Sequence, residues 1–139
     1  MTYTKTKGRL CPLFDRNATA DKGVGGVVCI PFLAEILNDF DWHISFPFPV
    51  DIIGIQSFEV GALTANSVIT LDVGGTDAAT THTITATAAG TRLRTAIDPD
   101  TDTTVKNIAA NTVINVECDG TASAGTAVVY LEWRHARRE

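Results

Sequence analysis

Hydrophobic and polar residues alternate in two stretches of this chain, and the stretches are variants of each other. "ANSVITLDVGGTDAATT" (65–81) and "ANTVINVECDGTASAGT" (110–126) lie 45 positions apart and are identical at eight of seventeen positions. Alternation with a period of two is typical of a strand that buries one face. The apolar positions are Ile69, Leu71 and Val73 in the first copy, aligned on Ile114, Val116 and Cys118 in the second. The sequence therefore predicts two half-buried strands with equivalent inward faces.

A second alternating run follows each copy after a stretch rich in Gly and Thr. The aligned apolar positions of these runs are Ile84, Ala86 and Ala88 in the first copy and Val129, Leu131 and Trp133 in the second. A turn between two alternating runs predicts a hairpin. Because an isolated hairpin is marginally stable, we interpret the two copies as hairpins that belong to one packed pair of sheets.

The whole chain reads as an all-β protein. Pro47 and Pro49 place the start of the 44–60 region at a sheet edge or bend, and Gly54 predicts a bulge. Eight strands are predicted, at about 27, about 44, 51–60, 66–73, 82–88, 91–97, 112–118 and 126–133. This number and spacing predict a jelly-roll-like β-sandwich of about eight antiparallel strands.

The segment "PFLAEILNDF" (31–40) allows two interpretations. Its apolar residues Phe32, Leu33, Ile36, Leu37 and Phe40 have helical spacing. Pro31 is favoured as a first helical residue. We predict one short helix here, with a buried strand as the alternative.

The 51–60 strand has apolar residues on both faces, since Ile53 and Ile55 fall opposite Ile52, Phe58 and Val60. Two apolar faces indicate burial on both sides of the strand. A subunit interface or a covering helix explains the pattern equally well. The residues that we expect at such an interface are Phe46, Phe48, Ile53 and Ile55.

With 139 residues the chain has room for one domain with a single core. Residues 1–26 contain Gly, Pro and basic residues without a sustained period, which predicts an extended N-terminal arm. The jelly-roll-like β domain is then 27–133, and 134–139 form a short basic C-terminal tail. No N-terminal apolar segment resembles a signal peptide, and no run reaches the length of a membrane span. We expect no membrane partner.

Charge is distributed unevenly along the chain. Residues 1–22 carry +3 and residues 133–139 carry +2, whereas the whole chain carries −5, so the region between them carries −10. An acidic body argues against a nucleic-acid partner. Basic ends instead suggest segments that dock on another acidic surface, although they can also simply promote solubility. The expected docking residues of the arm are Lys5, Lys7, Arg9, Leu10, Leu13, Phe14, Arg16 and Lys22, and those of the tail are Arg134, Arg137 and Arg138.

The residue types that carry catalysis show no recognisable arrangement. His43, His82 and His135 are scattered, and His82 lies on an alternating strand, which favours a structural histidine. We expect no enzymatic activity and no cofactor. Three cysteines, Cys11, Cys29 and Cys118, form neither a CxxC motif nor a zinc set, and we interpret them as buried or idle thiols.

One acidic segment resembles part of a calcium loop. In "DPDTDT", Asp98, Asp100 and Asp102 have the spacing of the first three EF-hand ligands. Thr103 stands where that loop needs Gly, and Ala109 stands where it needs Glu. We therefore interpret the segment as a solvated acidic turn and expect no metal.

Two segments resemble a family pattern. "FPFPVDIIGIQSFEVGALTANSVITLDVGGT" and "VKNIAANTVINVECDGTASAGTAVVYLEW" are similar to a strand-and-turn pattern that recurs in surface proteins of tailed-phage virions. The resemblance covers residues 44–133. Where the pattern usually has Gly-Asp before the penultimate strand, this chain has Asn111-Thr112. Because Asn tolerates the left-handed backbone that such a turn requires, we expect the turn to be kept.

Proteins with this pattern tend to be jelly rolls, often trimeric, that serve as capsid cement or decoration proteins, head fibres or receptor-binding tips. The resemblance therefore implies a homotrimer on the outer surface of a virion, made in the host cytoplasm, with the phage major capsid protein as partner. A short chain with one domain and one arm favours a cement protein over a fibre. The alternative is a receptor- or glycan-binding module of a head fibre or tail, which would use the loops at 74–80, 98–104 and 119–125.

Overall fold

Two antiparallel sheets form the part of the chain that the computed structural model describes, residues 25–32, 40–119 and 125–136. Sheet I contains, in spatial order, β1 (Gly25–Phe32), β9 (Thr126–His135), β3 (Val50–Gly61) and β7 (Arg92–Ala96). Sheet II contains β2 (Phe40–Ile44), β8 (Ile114–Cys118) and β4 (Ser67–Val73), and the short strands β5 (Thr76–Asp77) and β6 (His82–Ile84) both pair with the outer side of β4.

Most connections between consecutive strands cross from one sheet to the other. The chain enters sheet I with β1, crosses to sheet II with β2, returns with β3, and crosses again to β4. After β6 it goes back to β7, then to β8, and ends in β9. This is the connectivity of a jelly roll, in which two sheets pack face to face, with β5 and β6 together in the fourth position of sheet II. The predicted fold class is therefore confirmed.

Each of the eight predicted strands overlaps an observed one, and the two-residue β5 was not predicted. A 3-10 helix, Thr103–Val105, is also present. The predicted arm boundary and the predicted helix need correction where the structure describes them. β1 begins at Gly25, inside the segment assigned to the arm, while residues 1–24 lie outside the described residues. Pro31 and Phe32 end β1 and Phe40 begins β2, so the helix prediction is wrong at both ends of 31–40, and residues 33–39 are not described.

The first of the two predicted hairpins is confirmed and the second is wrong. β4 pairs with β6, whereas β8 lies in sheet II and β9 in sheet I. The turn after the second copy therefore leads from one sheet to the other. The two copies of the repeat instead pair with each other, since β4 and β8 are direct neighbours.

The core lies between the inward faces of the two sheets, and the alternation predicted most of it. Ile69, Leu71, Ile114 and Val116 are fully buried, and Cys118 is 2% exposed. Val129 and Leu131 of β9 are also fully buried, and Val73 and Trp133 pack against the core as partly buried residues. Ala86 and Ala88 are exposed because β6 ends at Ile84, so their predicted burial is wrong.

A β-bulge explains the two apolar faces of β3. The pairing of β3 with β9 shifts between Ile52 and Gly54, so Ile53 is an extra residue and the inward face continues at Ile55. The bulge predicted at Gly54 is confirmed. Because Ile52 and Ile55 both lie in the core of one chain, neither a partner subunit nor a helix is needed to bury them.

The turn before β8 has the backbone conformation expected from its sequence. Asn111 has a φ of 64°, in the left-handed region that Asn tolerates better than most residues. Its backbone N–H donates to the carbonyl of Phe46 over 2.7 Å, which ties the turn to the segment before β3. Asn at this position therefore serves the turn as Gly would.

Candidate functional site

The predicted docking residues fall mostly outside the described part of the chain. This is so for all eight arm residues, Lys5, Lys7, Arg9, Leu10, Leu13, Phe14, Arg16 and Lys22, and for Arg137 and Arg138 of the tail. Arg134 is described, and it belongs to β9 because that strand continues to His135. The tail boundary predicted at residue 134 is therefore corrected.

Arg134 makes an internal ion pair. Its Nε donates to Oδ2 of Asp51 over 3.1 Å, and the Asp51 side chain is only 3% exposed. The other carboxylate oxygen of Asp51 accepts a hydrogen bond from the backbone N–H of Asn107 over 2.7 Å. This carboxylate thus joins β3, β9 and the loop after the 3-10 helix, and the role of Arg134 in the structure is to stabilise the domain.

The residues predicted for a subunit interface are separated by the fold. Phe46 is 8% exposed and Ile55 is fully buried, so the interface prediction is wrong for these two because the core of their own chain encloses them. Phe48 and Ile53 are partly exposed. Phe48 stacks on the ring of His135 with centroids 4.3 Å apart, and both Phe46 and Phe48 contact Trp133 at 5.2 and 5.3 Å. These aromatic rings form a cluster at the end of sheet I where β9 finishes.

His82 is a hydrogen-bonded interior histidine, as the sequence predicted. It is 1% exposed, its Nε2 lies 2.7 Å from Oγ of Ser57, and its Nδ1 lies 2.8 Å from Oγ1 of Thr95. The two hydroxyls belong to sheet I and the imidazole to sheet II, so the contact joins the sheets. Burial lowers the pKa of His82, because the charged imidazolium loses its hydration. Ser57 is also buried, with 3% of its surface exposed, so this Ser–His pair lies in the interior of the domain.

A second interior polar group lies nearby on the same face of β3. Glu59 is 1% exposed, and its Oε1 accepts a hydrogen bond from the hydroxyl of Thr87 over 2.7 Å. Its Oε2 and the hydroxyl of the fully buried Ser67 have no hydrogen-bond partner in the described part of the chain. The alternation of β3 is compatible with an inward side chain at position 59. The sequence gave no reason to expect that a carboxylate would be buried there.

The three aspartates of the acidic turn have different partners. Asp98 accepts hydrogen bonds from the backbone N–H of Asp100 and the hydroxyl of Thr101, within its own turn. Asp100 pairs with Lys106 at 2.7 Å, and the 4% exposed Asp102 accepts from the backbone N–H of Thr80 over 2.8 Å. Within the described ranges, no group of three or more His, Cys, Asp or Glu residues could hold a metal ion.

The outer face of sheet I carries an arrangement that sequence reasoning missed. Strand register places Val128, Phe58 and Arg92 in one row across β9, β3 and β7, and Tyr130, Gln56 and Arg94 in the next row. Four of these side chains, Gln56, Phe58, Arg92 and Tyr130, line an open depression of about 400 Å³. The sequence placed Phe58 on one of the two apolar faces of β3 without deciding which face is the inner one, and it lies on the outside because the bulge at Ile53 shifts the alternation.

Ion pairing distinguishes the two arginines of β7. Arg94 contacts Glu132, with its Nη2 2.9 Å from Oε2, and Gln56 donates a further hydrogen bond to Oε1 of the same carboxylate over 3.0 Å. Arg92 has no acidic partner among the described residues, and its guanidinium lies over the ring of Phe58, 5.1 Å from the centroid. We call Gln56, Phe58, Arg92, Val128 and Tyr130 the Arg92 patch. The alternation of Arg92 with Arg94 was visible in the sequence, but only the register shows what lies beside each.

The outer face of sheet II is acidic. Asp41, Glu117 and Thr70 form a row across β2, β8 and β4, and they line a depression of about 360 Å³ together with Cys118 and Asp119. The side-chain N–H₂ of Asn115 donates to Oε1 of Glu117 over 2.8 Å. The two broad faces of the sandwich therefore differ in charge.

Comparison with known proteins leaves the function to be argued from these surfaces. No family model matches the chain, and no curated protein matches it either. Among the helices of the described residues, none has the length and apolar character that a membrane span requires.

Proposed function

We propose that this chain is a structural protein of a phage virion, a cement or decoration protein that binds the outer surface of the head and stabilises contacts between capsomers. The observation that carries the proposal is the combination of a jelly-roll domain with a basic N-terminal segment. The domain uses its interior histidine and serine to join its sheets. Its outer faces remain for binding a partner.

The point where the N-terminal segment meets the domain supports this role. β1 is an edge strand of sheet I, and Gly25 at its start pairs with Arg134 near the end of β9. A segment that continues from an edge strand can extend to another protein without disturbing the pairing inside the sheet. Twenty-four residues in extended conformation span on the order of 80 Å. This length is enough to reach a neighbouring capsomer.

Electrostatic attraction, burial of apolar residues and multivalent binding would together provide the affinity for the shell. The segment 1–22 carries +3, so it is attracted to an acidic shell, and the phage major capsid protein is the partner we propose. Leu10, Leu13 and Phe14 would then become buried against that shell as the segment becomes ordered. A homotrimer would present three segments at once, and linked binding events raise the overall affinity without any new contact.

The test uses particles of the phage that encodes this chain. The full chain is compared with a variant that lacks residues 1–22, and with a variant in which Lys5, Lys7, Arg9, Arg16 and Lys22 are all replaced by Gln. We expect the full chain to co-sediment with particles, in simple proportion to the major capsid protein. Both variants should stay folded, as measured by thermal unfolding, and should bind particles much more weakly than the full chain. Binding by the deletion variant as tight as that of the full chain would contradict the role of the segment, and failure of the full chain to bind would contradict the function itself.

A further inference from the structure

We infer that the Arg92 patch is the surface by which the folded domain binds the shell protein, and that it receives an Asp or Glu side chain of that protein with an apolar residue beside it. The inference rests on the proposed function and adds a second contact to it, made by the domain independently of the N-terminal segment. Three observations support it. They are the unpaired charge of Arg92 among the described residues, the fixed position of its side chain, and the partly exposed apolar residues around it.

The first argument is that Arg92 lacks a carboxylate partner among the described residues. The described part of the chain contains four basic side chains and eleven Asp and Glu residues. Arg94 pairs with Glu132, Lys106 with Asp100 and Arg134 with Asp51. Arg92 alone of the four pairs with none, although carboxylates are abundant. An acidic domain that leaves one arginine unpaired on a sheet face has a complementary charge to offer to a partner.

The second argument is that the guanidinium of Arg92 is already positioned. Phe58 and Arg92 are direct partners in the pairing of β3 with β7, and the guanidinium carbon lies 5.1 Å from the ring centroid. A guanidinium that stacks on an aromatic ring keeps its N–H groups directed outward in the plane of the group. These N–H groups can bind one carboxylate through two parallel hydrogen bonds. Less side-chain freedom is lost on binding because the stacking has already restricted it.

The third argument is the composition of the surroundings. Phe58, Tyr130 and Val128 are partly exposed, and Val60, two residues beyond Phe58 on β3, is 50% exposed. Residues that contribute most to protein–protein binding are enriched in Tyr, Trp and Arg, and neighbouring contacts exclude water from them. The depression of about 400 Å³ between Phe58, Arg92 and Tyr130 gives an inserted side chain a place to bury. The partner side chain must therefore be acidic, and its neighbour apolar.

Binding of the full-length chain to phage particles tests the inference. Arg92→Gln removes the charge from an exposed side chain that makes no ion pair with the described residues and loses only its stacking on Phe58, so the variant should stay folded and unfold at a temperature close to that of the wild type. We expect its affinity for particles to fall by about tenfold or more, as for loss of a residue worth at least 1.4 kcal/mol of binding. Arg92→Lys keeps the charge but loses the planar group, and we expect an intermediate affinity.

Lys106→Gln is the matched control, because it also removes one positive charge but lies at the acidic turn. We expect its affinity to stay within about twofold of wild type. If the wild type binds particles and Arg92→Gln binds equally well, the inference is wrong while the proposed function stands. If the wild type does not bind at all, both are wrong. If Arg92→Gln instead dissociates an oligomer of the free protein in sedimentation, the patch contacts a second copy of this chain and the assignment to the shell is overturned.

Discussion

Leu71 and Val116 are direct partners in the antiparallel pairing of β4 with β8, and they also occupy equivalent positions of the internal repeat. On one side of this pair Ile69 faces Cys118, and on the other side Val73 faces Ile114. The equivalent residues of the two copies therefore run in opposite directions along the paired strands. The two strands are therefore related by a local two-fold axis that passes between Leu71 and Val116, at the middle of sheet II.

The central position of this pair predicts a large loss of stability on truncation. Leu71 and Val116 are both fully buried. Leu71→Ala leaves a cavity that well-paired strands cannot close, so we expect the free energy of unfolding to fall by about 2–5 kcal/mol. Chemical denaturation measures this change. Val113→Ala is the control, since Val113 is 51% exposed just before β8, and it should cost less than about 0.5 kcal/mol. Similar losses for the two variants would contradict the assignment of the core.

Stability should depend on the protonation of His82. Burial holds the pKa of His82 below its ordinary value of 6.5 in the folded state, so the unfolded state binds a proton first as the pH falls. The domain should have its full stability well above pH 6.5 and lose part of it as the pH falls below 6.5. Thermal unfolding between pH 7.5 and 5.5 measures this change while most carboxylates remain ionised.

A pair of substitutions compares this buried histidine with an exposed one. His82→Gln should unfold at a lower temperature at pH 7.5, because the hydrogen bonds to Ser57 and Thr95 are disturbed, and its unfolding temperature should vary less between pH 7.5 and 5.5. His43 is exposed on β2, so His43→Gln should keep the pH dependence of the wild type. An unchanged pH dependence in His82→Gln would mean that another group is responsible.

Two ion pairs of the domain should differ strongly in their contribution to stability. Asp51 is 3% exposed and accepts hydrogen bonds from Arg134 and from the backbone N–H of Asn107, so Asp51→Ala leaves the partly buried guanidinium and this N–H without their partner. We expect a loss of about 1–3 kcal/mol. Asp100 is 70% exposed, and Asp100→Ala breaks its pair with Lys106 at a cost of about 0–1 kcal/mol. Urea denaturation measures the free energy of unfolding of both variants. Equal losses for the two would show that Asp51 has no structural role.

The position of the Glu132 side chain should require a residue without a Cβ atom at position 54. A Cβ atom at position 54 would collide with Oε2 of Glu132 and lie 3.2 Å from Nη2 of Arg94. Gly54→Ala should therefore displace the carboxylate from Arg94 and Gln56, at a cost of about 1–2 kcal/mol. In a Glu132→Ala background the same substitution should cost clearly less. A double-mutant cycle measures this coupling, and additive effects would show that the strain has another source.

Local signals in the sequence predicted eight of the nine strands in the described part of the chain, and they predicted the bulge. Alternation over 66–73 and 112–118 predicted strands with the inward residues that are observed, and Gly54 indicated the bulge. The same signals were ambiguous for β3, because one extra residue reverses the alternation after it. Ile55 was therefore expected at a subunit interface, and the face that carries Phe58 could not be assigned to the core or to the outside. The Arg92 patch was missed for a related reason, since its members come from three strands whose register the sequence does not contain.

The sequence by itself determined that the protein is all-β, where its strands lie, and which residues of β4 and β8 face the core. These properties depend on neighbouring residues along the chain. The tertiary structure alone decided that β8 and β9 lie in different sheets, that β4 pairs with β8, and that Arg92 lies beside Phe58 without an acidic partner in the described part of the chain. A strand has the same alternation of inward and outward residues whichever strand pairs with it. Which strand pairs with it is determined by packing between residues that are distant in sequence.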